Sequence, residues 1–303
     1  MNSADVALVE LGRALRSRGY EFVTVTPDTH RLVLERDARS ARDLRDVFGF
    51  SRPFAPALLP EGLLRLARDA DVIRSDGELL RSSVRFSSLG QNLYAHSAFP
   101  TVAADAVFFG PDTYRFAAFV ARSLRRSRCL VDIGCGSGAG GLGAAKFAER
   151  LVLADISPRA LRFASVNAAL AGIPAEIVES DVFAAISGPV DTVIANPPYL
   201  RDPAARVYRD GGGRYGEALS LRILRESLAR VAPGGRIALY TGTAVVEGRD
   251  CFRQLAEPLC RGAGASFDYE ELDPDVFGSE LAEGAYAGVE RLAAVGLVAV
   301  LPK

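Results

Sequence analysis

The spacing of apolar positions changes part-way along the chain. Within residues 4–18, Leu8, Leu11 and Leu15 recur at helical spacing, which predicts an amphipathic helix stopped by Gly19. Phe22, Val23, Thr24 and Val25 predict a short strand ended by Pro27-Asp28. A second helix is expected from a Ser40 cap through Val47. A third is expected over residues 63–72, opened by Pro60-Glu61, because proline is tolerated in a first helical turn. After Gly77, apolar residues alternate at Leu79-Leu80, Val84 and Phe86, and resume at Leu93-Tyr94 beyond Leu89-Gly90-Gln91-Asn92, which reads as a hairpin. Three helices and a hairpin suit a small α+β, winged-helix-like domain over residues 1–104, expected to select or cover a substrate.

From Cys129 onward short apolar runs alternate with helical patterns. Strands are predicted at 129–134, 150–155, 175–179, 190–196, 235–241, 266–272 and 292–301. Helices are predicted at 139–149, 158–171, 182–186, 216–231 and 250–262. This alternation predicts an α/β, doubly wound, Rossmann-like sheet of seven strands over residues 105–303. No helical pattern separates the last two strands, so the last is expected to run antiparallel. A boundary near 104/105 implies that a fragment starting at Asp105 keeps the ligand site of this sheet.

Charge and composition narrow the partners. The 303 residues are 49% hydrophobic and 24% charged, with net charge −1. Residues 1–100 carry 14 arginines and lysines against 13 acids. Neither field favours a polyanion, so nucleic acid is not the favoured partner. The four cysteines form no CxxC pair and there are two histidines, so no metal site is expected. Cys129 and Cys135 lie in or beside an apolar strand, where cysteine acts as a small hydrophobe. No secretory signal and no long apolar run is visible, which reads as cytoplasmic with no membrane partner. Two arginine clusters stand out, at 115, 122, 125, 126 and 128 and at 201, 206, 209 and 214. They are a solvated helix face and a loop, or a site for an anionic substrate.

The candidate chemistry begins where the first strand of this sheet ends. Leu130-Val131-Asp132-Ile133-Gly134-Cys135-Gly136-Ser137-Gly138 is a buried strand running into a glycine loop, followed by a helix. Glycine lets backbone turn sharply and approach a ligand. Residues 136, 138 and 141 also satisfy G-x-G-x-x-G, a dinucleotide pattern. Asp132 separates the two readings. A carboxylate there repels a pyrophosphate but suits the cationic amino-acid end of S-adenosylmethionine. Asp155, at the next strand end, can accept from both ribose hydroxyls, with Ile156 beside it. Asp181, after the third strand, can accept from the adenine amino group, with Val182 beside it. Three acids at successive strand ends thus surround one crevice, the usual ligand position in open α/β sheets.

The fourth strand runs directly into Asn196-Pro197-Pro198-Tyr199. A planar amine or amide nitrogen is a weak nucleophile because its lone pair is delocalised. The Asn196 side-chain oxygen and the Pro197 carbonyl can accept its two N–H bonds. The prolines fix the backbone and Tyr199 can stack on the flat acceptor, so the motif orients a nitrogen for methyl transfer.

Together, VDIGCGSG, LADISP, ESD and NPPY resemble class I methyltransferases of the release-factor glutamine methyltransferase type. The small-subunit ribosomal RNA guanine-N2 methyltransferases are similar in the same motifs. The resemblance covers about residues 105–303. It implies S-adenosylmethionine as cofactor and a planar nitrogen of a protein glutamine, a nucleobase or a small molecule as acceptor. It also implies that Pro111 and Thr113, in Phe108-Phe109-Gly110-Pro111-Asp112-Thr113, close over the cofactor's methionine end. Asp210-Gly211-Gly212 and Gly216 resemble the DGG…G segment after NPPY. The chain departs from the glutamine enzymes in reading FFGPDTY where they read PRP, in its hairpin-bearing N-terminal part, and in the long segment 273–290. The alternatives are a methyltransferase of specialised metabolism acting on N, O or C, a nicotinamide-dependent oxidoreductase, and a non-catalytic RNA-binding protein. The oxidoreductase leaves Asp132 and NPPY unexplained.

Overall fold

The computed structural model describes residues 1–37 and 40–303. Helix α1 (Ser3–Arg16) is capped reciprocally: Asn2 accepts from the Asp5 amide at 2.9 Å, and Asp5 accepts from the Asn2 amide at 3.2 Å. Its buried face is Ala7, Leu8, Leu11 and Leu15, the periodicity read from the sequence. Residues 22–25 form no regular strand, although the Ser88 amide donates to the Phe22 carbonyl. Pro27 begins α2 (Pro27–Arg36) and does not end a strand, because Thr26 caps the new helix and proline fits its first turn. Helix α3 (Leu44–Phe48) is capped by Asp43, four residues later than Ser40 predicts. Helix α4 (Glu61–Asp69) follows Pro60. The expected single hairpin is two: β1 (Ile73–Asp76) with β2 (Leu79–Ser82), and β3 (Val84–Leu89) with β4 (Asn92–Ser97). Both turn through a positive-φ glycine, Gly77 or Gly90.

The second part begins with α5 (Pro111–Ser123), β5 (Ser127–Ile133), α6 (Ala139–Ala144), β6 (Ala148–Asp155) and α7 (Pro158–Ala171). It continues with β7 (Glu176–Glu179), β8 (Val190–Ala195), α8 (Ala218–Arg230), β9 (Val231–Val246), β10 (Arg249–Asp250), α9 (Cys251–Gly262), β11 (Asp268–Asp273) and β12 (Arg291–Val300). The main sheet runs β11-β12-β9-β8-β5-β6-β7, with β10 folded back on β9. Strands β5 to β9 are parallel, and β12 is antiparallel to both β9 and β11, as expected for the last strand. Two predicted helices change. α6 is shorter than 139–149, giving way to a 3-10 turn and then to β6. No helix forms at 182–186: Val182 has φ 52°, and Ser180 Oγ ties the turn together through the Val182 carbonyl and the Ala185 amide.

Alternate strand residues feed two cores. Leu130, Leu153 and Ile194 pack with α5 and α6, while Val131, Val152 and Ile237 pack with α8 and α9. Helix α7 is apolar on two sides. Ala164 and Ala168 face the sheet core, whereas Ala160, Phe163, Val166 and Leu170 belong to the core of α1, α4 and β3. Gly12 permits the close approach, since a Cβ there would meet Leu170 at 2.7 Å. The division at 104/105 therefore does not separate two cores. Among the described residues no helix is long and apolar enough to cross a membrane.

Candidate active site

The strand order reverses between β5 and β8, where Ile133 pairs with Ala195. The glycine loop and Asn196 therefore leave the sheet side by side, at the switch point where ligands bind. They line a cavity of about 420 Å³, within the usual size of a small-molecule site. Asp132, Gly134, Gly136, Asp155, Ile156, Asp181, Val182, Asn196, Pro197, Pro198, Tyr199 and Thr113 all border it. Gly138 and Pro111 do not. Gly138, at φ 77°, turns the chain into α6, and Pro111 starts α5.

The loop is shaped by anchors behind it. The Gly134 and Cys135 amides donate to the Ala154 carbonyl, the Gly136 amide to Asp155 at 2.9 Å, and the Gly141 amide to Asp132 at 2.7 Å. At Gly134 and Gly136, both with positive φ, a Cβ would meet nothing within 4 Å. That open cradle is what a ligand lying on the loop requires. Gly141, the third glycine of the dinucleotide pattern, faces Leu153 and Asp132 instead.

The three acids differ in environment. Asp132 is 1% exposed, and burial pushes its carboxyl up to about 7; the Gly141 amide opposes this, and the Asp155 charge adds to it. An acid so poorly compensated, on a cavity wall, suits a cationic ligand group. Asp155 is raised by burial while its oxygens accept from Gly136 and Ser157 at 2.9 Å, leaving lone pairs for a diol. Asp181 is half-exposed and held at both oxygens by Arg222, at 2.8 and 3.0 Å. It can still accept a further donor but is not a free carboxylate. Ile156, 56% exposed, offers an apolar surface at the rim.

On the other side, the Asn196 amide faces the cavity without a side-chain partner among the described residues. The Tyr199 hydroxyl donates to Asp112, which also accepts from Tyr240 at 3.0 Å and Arg115 at 3.1 Å. Tyr199 packs where Gly242 leaves room for its ring. The ring is therefore fixed at its hydroxyl end as well as by the prolines. Gly211 and Gly216 serve the same loop. A side chain on either would strike the carbonyls of Pro198 or Tyr199, so their bare backbone can lie against the motif. The sequence reading named Pro111 and Thr113 but passed over Asp112 between them. It also passed over Phe108, Tyr208 and Phe277, which line the cavity from distant segments.

The arginine clusters are neutralised. Arg115 pairs with Asp273, Arg122 with Glu270, Arg128 with Asp191, Arg201 with Asp210, Arg206 with Asp202 and Arg209 with Glu280. They support the bland reading of these clusters over a phosphate-binding one.

Residues 112–241 match the family described as Methyltransferase small domain. The chain carries a methyltransferase small domain. A release factor glutamine methyltransferase of Deinococcus radiodurans is 34% identical over 39% of this chain and 46% of its own length. Ribosomal RNA small subunit methyltransferase C of Chromohalobacter salexigens is 31% identical over 36% and 30%. The chain thus spans under half the length of either relative. The solved structure of Methanocaldococcus jannaschii Trm5 in complex with adenosine shares the fold, with TM-score 0.53 and 15% identity over 73% of this chain and 57% of that one. The methyltransferase domain includes Asp112, both glycine-loop acids and NPPY.

Proposed function

We propose that this protein transfers a methyl group from S-adenosylmethionine to a planar amide or amino nitrogen of a protein, nucleobase or small-molecule substrate. The observation that carries the reading is the Asn196 amide, unpaired and facing the same cavity as the glycine loop.

The open backbone of Gly134 and Gly136 fits the cofactor, as do Asp132 toward its ammonium and Asp155 toward its ribose hydroxyls. When bound, S-adenosylmethionine supplies an electrophilic methyl group on a sulfonium. Asn196 Oδ1 and the Pro197 carbonyl accept the two N–H bonds of the acceptor and turn its lone pair toward the cofactor side. Pro197 and Pro198 hold these acceptors in place without a conformational search. Tyr199, fixed by Asp112, forms the flat wall against which a planar group lies.

The test uses methyl-tritiated S-adenosylmethionine with release factor and small-subunit ribosomal RNA, the acceptors named for the two relatives. Label should enter one of them, and Asn196→Ala should lower its rate by about a hundredfold while affinity for S-adenosylhomocysteine stays within a few-fold. Normal turnover by the variant would reduce NPPY to a structural turn. Thermal protection by NADH and not by S-adenosylhomocysteine would replace the reading with the oxidoreductase.

A further inference from the structure

The glycine loop has one more anchor, which does not come from its own strands. Asn167, on α7, is fully buried. Its Nδ2 donates to the Ser137 carbonyl at 2.8 Å and to the Ala95 carbonyl at 2.9 Å, and its Oδ1 accepts from the Ala95 amide at 2.7 Å. Ser137 lies on the cavity wall, and Ala95 lies in β4, whose ladder with β3 pairs Ala95 with Phe86. The outer edge of β4 at Ala95 is therefore taken by a side-chain amide, which occupies the place of a neighbouring strand's peptide group. Both Nδ2 hydrogens and the Oδ1 acceptor are used, so the amide cannot release one partner without leaving a buried group unpaired.

We infer that Asn167 is a positioning residue for the cofactor loop, and that through it the β3–β4 hairpin is part of the cofactor site. The other loop anchors described above, Asp132, Ala154 and Asp155, lie on β5 and β6, within the methyltransferase domain. Asn167 ties the Ser137 carbonyl to a hairpin that precedes that domain. The contact between Arg162 and Asp5, at 2.5 Å, joins α7 to α1 at the same interface, yet neither residue lines the cofactor cavity. It provides the control that separates positioning from simple docking.

The inference rests on the cofactor reading, and the test keeps the two apart. S-adenosylhomocysteine is titrated calorimetrically into the wild type, Asn167→Asp, Asn167→Ala and Arg162→Ala. The aspartate keeps the shape and the acceptor toward the Ala95 amide but sets a carboxylate against two carbonyls. Both Asn167 variants should bind about tenfold more weakly or worse, while Arg162→Ala should lower the melting temperature and leave affinity within about twofold. A folded Asn167→Asp with wild-type affinity overturns the inference, and a wild type that does not bind overturns the cofactor reading beneath it. Should both Asn167 variants fail to fold, hydrogen exchange on the wild type decides. Saturating S-adenosylhomocysteine should slow exchange at the Ala95 amide, and an unchanged rate there overturns the proposal.

Discussion

The two halves of the cavity are held in different ways. The cofactor half is fastened by carboxylates gripping backbone amides close by in sequence: Asp132 holds an amide 9 residues away, and Asp155 holds amides 19 and 2 residues away. The acceptor half is fastened by side chains from remote segments. Tyr199 reaches Asp112 across 87 residues, Tyr240 reaches the same acid across 128, and the Arg201 amide donates to the Tyr286 hydroxyl across 85. A local device can be encoded in a short motif. A remote one depends on how several loops pack, so acceptor choice can change while the cofactor cradle stays the same.

The largest expected effect tests whether the cofactor half is as self-sufficient as its motifs suggest. Removing residues 1–104 strips the cover from Phe163, Val166 and Leu170 and unpairs Asn167. The fragment from Asp105 should be insoluble or lack a cooperative melt. A soluble fragment that binds S-adenosylhomocysteine like the full chain would restore the boundary expected from the sequence.

Asp155→Ala sharpens the local side. It removes two ribose acceptors and leaves the Gly136 and Ser157 amides unpaired, so affinity for S-adenosylmethionine should fall by about tenfold or more. Titration calorimetry showing unchanged affinity would take Asp155 out of the site.

Asp132 makes the cofactor half sensitive to pH. Its carboxyl lies up at about 7 in the fold, above about 3.9 for an unfolded aspartate. Ionisation is thus disfavoured in the folded, ligand-free protein, and the stability contribution falls as pH rises from the unfolded value through about 7. A bound ammonium reverses the preference and expels the proton. Affinity for S-adenosylhomocysteine should therefore rise by about tenfold between about pH 6 and about pH 8, with proton release visible as buffer-dependent binding enthalpy. In Asp132→Asn the dependence should vanish, and a flat wild-type profile would remove Asp132 from contact with the ammonium.

The smallest effect probes the remote side. Tyr199→Phe keeps the ring but frees Asp112 from its hydroxyl, so turnover should drop several-fold, to about a tenth at most, with cofactor affinity unchanged. Asp112→Asn should cost a similar factor, and the double variant little more than either, because both break one contact. Fully additive losses would show that the two residues act separately.

The outer arrangement of the sheet, its antiparallel last strand and the cavity's position were legible because strand periodicity, glycines and strand-end acids are local signals. So was the pairing of Gly134 with Asn196 across the switch point, since each directly follows a predicted strand. The missed features share a cause. The start of α2 at Pro27 depended on a Thr26 cap that resembles a turn signal, and the lost helix at 182–186 depended on Ser180 stabilising a turn. Asp112 looked like an ordinary acid in a helix's first turn, and Asn167 like a polar residue on an apolar helix. By itself the sequence determined the strand-end chemistry, because one peptide segment carries both the turn and the group it presents. Only the tertiary structure decided which buried polar groups meet. A hydrogen bond between Asp112 and Tyr199, or between Asn167 and Ala95, leaves no trace in local spacing and exists because two distant segments are desolvated against each other.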